Sequence, residues 1–74
     1  MQQINLNGKT VKIGDYVEFK SDVEQGGELV KIRCNSSYGG YDLTLYSDND
    51  CGFDGDYIGG QTETTVHSSD CWVS

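Results

Sequence analysis

Proline is absent from this 74-residue chain, and cations are scarce: five Lys and Arg stand against twelve Asp and Glu, for a net charge of −7. A field of that sign repels phosphate backbones and anionic lipid, so direct nucleic-acid or membrane-surface binding is not expected. Basic proteins are the macromolecular partners it favours. Long apolar runs are missing too, since no window approaches the roughly 20 apolar residues of a membrane helix. The opening "MQQINLNGKT" has neither the basic stretch nor the apolar run of a signal peptide. The expectation is a soluble cytoplasmic protein. Nor does any segment carry a period-3.6 pattern long enough for a substantial helix. The three cysteines, Cys34, Cys51 and Cys71, make no CxxC pair and are odd in number. A disulfide framework is therefore excluded as the default, and free thiols are expected.

What is present is strand and turn chemistry. A chain this short buries only about 60% of the surface its unfolded form exposes. It holds one domain, residues 1–74, and its 35% hydrophobic content with five Tyr, two Phe and one Trp is too apolar for a disordered segment. Ten glycines supply the punctuation that proline does not. Between them lie short runs alternating apolar and polar residues. Asn7-Gly8 between two such runs is a hairpin signal, because both central residues of a type I′ turn need positive φ. Ile4 and Leu6 should then oppose Val11 and Ile13. "YVEFK" puts Val17 and Phe19 on one face, "ELVKIRC" puts Val30, Ile32 and Cys34 there, and "YDLTLYS" adds Tyr41, Leu43 and Leu45. "QTETTVH" reads as a further strand with Thr62, Thr64 and Val66 on one face. "SSD" suits a single helical turn capped by Ser68 or Ser69, before Trp72 and Val73 dock. The expected fold is all-β, a small five- or six-stranded barrel that closes to remove exposed edges. Its core should hold Val11, Ile13, Val17, Phe19, Val30, Ile32, Leu43, Leu45, Val66 and Trp72.

The stretch "GDYVEFKSDVEQGGELVKI", Gly14 to Ile32, resembles the KOW-type motif of SH3-like barrels. Gly14, Asp15 and Val17 match its start, Gly27 its glycine, and Val30 and Ile32 its second strand. The resemblance implies an SH3-like barrel and an accessory module contacting transcription or translation machinery, commonly through basic loops. Here the loop "SDVEQGG" carries Asp22 and Glu24 instead, which argues against direct RNA binding. In size and charge the chain is also similar to the small acidic proteins that tailed phages encode. That similarity implies a phage-encoded protein, acting in the host cytoplasm on host defence or nucleic-acid-handling proteins.

Metal chemistry and catalysis find little footing. "SDNDCGFDGDYIGG" packs Asp48, Asp50, Asp54 and Asp56 together, yet EF-hand spacing fails from Asp48, whose sixth position is Phe53, and from Asp54, whose twelfth is Thr65. Cys34, Cys51, His67 and Cys71 lack the close ligand pairs of a structural zinc site. The expectation is no metal and no cofactor, with Cys34 and Cys71 packed as small hydrophobes. His67, beside Ser68, Ser69 and Asp70, falls on the polar face of its strand, and contiguous residues do not converge as a triad. A non-enzyme is expected. Two binding readings remain. In one, Asp22, Glu24, Asp48, Asp50, Asp54 and Asp56 form an acidic surface that blocks a basic groove of a host protein, with Phe53, Tyr57 and Trp72 as anchors. In the other, an oligomeric sponge sequesters a nucleotide immune signal, with Arg33 on phosphate and Tyr38 and Tyr41 stacking on the base.

Overall fold

The computed structural model describes all residues 1–74, and its regular structure is strands apart from one short 3₁₀ turn. The first two strands, β1 (Gln3–Leu6) and β2 (Lys9–Lys12), meet at Asn7-Gly8. Both turn residues take positive φ, 54° and 86°, as the type I′ geometry requires. The Gly8 N–H donates to Asn5 Oδ1 at 2.9 Å, fixing the turn from within. A two-residue turn dictates register, so Leu6 pairs with Lys9 and Ile4 with Val11. Ile13 falls beyond β2, where its N–H donates to the Gln2 carbonyl and its side chain is half-buried.

The remaining strands are β3 (Tyr16–Lys20), β4 (Glu24–Cys34), β5 (Tyr41–Tyr46), β6 (Glu63–His67) and β7 (Cys71–Trp72). They form one antiparallel sheet in the order β6-β5-β4-β3-β7. The chain thus has two sheets and is not closed into a barrel: β6 and β7 lie at opposite edges of the larger sheet, unpaired with each other. β7 contributes only two residues, opposite Glu18 and Phe19. The core is sealed by packing instead. Ile4, Leu6 and Val11 of the hairpin join Val17, Phe19, Leu29, Ile32, Leu43, Leu45, Phe53 and Cys71 in a single buried cluster.

Three expected core positions shift for identifiable reasons. The register between β4 and β5 slips between Leu29 and Lys31. This bulge places Leu29 inside, fully buried, and leaves Val30 exposed at 37%. Cys34, at the end of the same strand, is also exposed. Trp72 is half-buried: its neighbour Cys71 points inward opposite Phe19, so alternation sends Trp72 to the outer face opposite Glu18. Further back on β4, the chain at Gly27 is approached too closely for a side chain. A Cβ at this position would run into the Tyr46 carbonyl oxygen and lie 3.1 Å from the Phe53 ring. The 3₁₀ turn Ser68–Asp70 forms where expected, but its cap is His67, whose ring nitrogen accepts from the Ser69 N–H.

Candidate functional site

Glycine richness makes "SDNDCGFDGDYIGG" an irregular connection, and tertiary contacts give it one shape. Its ends are tied where the Ser47 N–H donates to the Thr62 carbonyl at 2.8 Å. Inside, the Phe53 N–H donates to Gln61 O, the Gly60 N–H to Phe53 O and the Gly59 N–H to Gly55 O, each at 2.8–2.9 Å. A compact loop with joined ends and its own internal bonding is an Ω-loop. Phe53 is its keel: at 2% exposure it packs edge-on against Phe19, ring centroids 5.5 Å apart. It is a core residue and presents nothing to a partner.

The loop is clamped to the β3–β4 hairpin. Gln25 works like one rung of a β-ladder, its Nε2 donating to the Asp54 carbonyl at 2.7 Å and its Oε1 accepting from the Asp54 N–H at 2.8 Å. One step along, the Asp56 N–H donates to Asp22 Oδ2 at 2.5 Å. These bonds bring Asp22 and Glu24 of the hairpin beside Asp54 and Asp56 of the loop, and all four are exposed. Tyr57 follows directly and is 86% exposed. Asp50 is exposed on the near part of the loop, while Asp48 turns toward the outer face of the sheet. The Asp22 carboxylate and the main chain at Asp54 and Asp56 are thus tied by hydrogen bonds, and no salt bridge neutralises these acids. No group of three or more His, Cys, Asp or Glu side chains converges in a metal-ligating arrangement.

The residues assigned to a nucleotide are not gathered. Arg33 and Tyr41 are one step out of register on adjacent strands: Arg33 faces Asp42 on the exposed side, while Tyr41 packs against the core. Tyr38 lies edge-on to His67, ring centroids 4.8 Å apart. His67 is half-buried and engaged on both sides, through Nε2 to the Gly39 carbonyl at 2.6 Å and through Nδ1 to the Ser69 N–H at 3.1 Å. The carbonyl can only accept and the amide can only donate, so this is the Nε2–H tautomer. Together with the Ser68 hydroxyl, which accepts from the Tyr41 N–H at 3.1 Å, it fastens the Asn35–Gly40 loop.

The outer face of the sheet carries a feature that the alternation pattern held but did not flag. Tyr16, Glu28, Tyr46 and Glu63 are successive cross-strand partners on β3, β4, β5 and β6, and all four are exposed. The Tyr16 ring lies across Gly26, where a Cβ would come within 2.7 Å of it. Gly14, Tyr16, Glu28, Tyr46 and Asp48 line an open pocket of about 250 Å³. Tyrosines at outward positions of a strand were the signal available in the sequence. No family profile, curated protein or solved structure matches this chain.

Proposed function

We propose that this chain is a non-enzymatic binding protein that docks its acidic end on a basic groove of another protein and blocks it. The observation that carries the reading is the Gln25–Asp54 and Asp22–Asp56 clamp, which assembles sequence-distant carboxylates into one exposed surface around Tyr57. Unneutralised acids at fixed positions steer a basic partner and match its charge, and an exposed tyrosine supplies contact area at low entropic cost. Host defence or nucleic-acid-handling proteins, whose grooves are basic, are the target class, which fits a phage-encoded inhibitor. The strand order supports the SH3-like assignment at the level of topology. That reading rests on a meander of β3 to β6, a 3₁₀ turn, and a last short strand returning to β3.

The test is capture from a bacterial lysate with identification of the retained protein by mass spectrometry. It is repeated with the D22N/D54N/D56N variant and in rising salt. A basic protein should be retained, and should be lost both in the variant and as salt passes a few hundred millimolar, because exposed charge pairs are screened within about 10 Å at 0.1 M. Retention that ignores both changes overturns the reading.

A further inference from the structure

The geometry points to an arginine-binding pocket on the outer face of the sheet, in which Tyr16 and Tyr46 flank the guanidinium and Glu28 pairs with it. The pocket has about 250 Å³ and is lined by Gly14, Tyr16, Glu28, Tyr46 and Asp48. That is below the roughly 300 Å³ at which small-molecule sites begin, and it suits a single side chain. Its lining contains two tyrosines and two carboxylates and no cationic residue, so its charge selects a cation.

The register sets the width of the opening. Tyr16 on β3 and Tyr46 on β5 sit on either side of Glu28 on β4, in one cross-strand row. Two strand spacings of about 4.7–4.9 Å separate their backbones by roughly 10 Å. The Tyr16 ring lies across Gly26, two positions from Glu28 on the same strand, so it and Tyr46 offer aromatic surface on two sides of Glu28 to which a planar cation is attracted. Glu28 then sits beneath the cation, with Asp48 at the rim. Arginine fits better than lysine, since its planar guanidinium stacks on aromatic faces and meets a carboxylate with two parallel N–H donors. The floor is firm: the Gly14 N–H donates to Leu29 O at 2.8 Å and the Leu29 N–H to Asp15 O at 2.9 Å.

The inference rests on the reading of the chain as a partner of basic proteins only in taking such a protein as the source of the arginine. The experiment is a titration of ¹⁵N-labelled protein with N-acetyl-arginine amide, followed by amide chemical shifts. Saturable shifts should centre on Gly14, Tyr16, Glu28, Tyr46 and Asp48. Glu28→Gln, at an exposed position, should weaken binding at least about tenfold by removing a charge-assisted pair. Tyr46→Leu should weaken it as well, while D22N/D54N/D56N should leave it unchanged. Binding that survives Glu28→Gln, shifts that follow the loop acids instead, or equal binding of N-acetyl-lysine amide would overturn the assignment. If lysate capture ignores the loop acids while these shifts persist, the acidic-end reading fails and the pocket stands.

Discussion

Phe53 and Tyr57 lie four positions apart in one acidic loop and have opposite fates. Phe53 is buried against Phe19, and Tyr57 is almost wholly in solvent. Phe53→Ala should cost about 3–5 kcal/mol by urea denaturation, since it removes a large side chain and leaves a void beneath the loop. Tyr57→Ala should stay within about 0.5 kcal/mol of the parent chain. Cys71 gives a second prediction at this scale. Burial, and then the charge of Asp70, push its thiol up from 9.0 to about 12. Below pH 9 the thiol is protonated in folded and unfolded chains alike, so its contribution to stability is fully present. As pH climbs from 9 toward 12, the unfolded chain ionises first and that contribution is lost. The urea midpoint should therefore fall across this window, and Cys71→Ala should show a smaller fall. A thiol kept protonated at neutral pH is also a poor nucleophile. Iodoacetamide should label exposed Cys34 and Cys51 in the native protein and reach Cys71 only after unfolding.

The loop–hairpin clamp belongs to the scale of elements. Gln25→Ala removes two hydrogen bonds to Asp54 and should cost about 1–2 kcal/mol. Its diagnostic effect is local: the Asp54 and Asp56 amides should exchange faster with deuterium, while those of β5 keep their protection. Unchanged exchange at both amides would show that the Asp22–Asp56 bond and the packing of Phe53 hold the loop without Gln25. The elements themselves were largely legible in the sequence. Period-two alternation and glycine punctuation located β1 to β6, and Asn7-Gly8 specified its turn. The bulge at Val30 was not legible, because "ELVKIRC" alternates without interruption. The slip is decided by the packing of Leu29 and Ile32 against β5, a tertiary effect that overrides local pattern. Phe53 was hidden for a related reason, since an aromatic among aspartates and glycines carries no period from which burial can be read. The clamp joins residues 29 positions apart, and neither Gln25 nor Asp54 belongs to a motif. The acids were visible as a composition, but only the fold showed which of them share a surface.

For the whole molecule, the net charge of −7 is spread over a fold of only 74 residues. Self-repulsion of that kind destabilises the compact state, and salt relieves it. Adding sodium chloride at neutral pH should therefore raise the thermal midpoint by a few degrees, the shift expected of a domain this small for a gain of somewhat under 1 kcal/mol. A midpoint that does not move would mean the acids are far enough apart not to interact. The hairpin turn bears on the same charge over a longer time. In an Asn-Gly pair, the glycine nitrogen can attack the asparagine side-chain carbonyl and expel ammonia to close a succinimide, which water then opens to an aspartate or its β-linked isomer. In this molecule the Gly8 N–H is already donated to Asn5 Oδ1, so the would-be nucleophile is occupied. Asn5 is thus a preservative: Asn5→Ala should make stored protein accumulate a more acidic species on anion exchange faster than the parent does, and the chemical age of the protein is set by a bond that holds a turn.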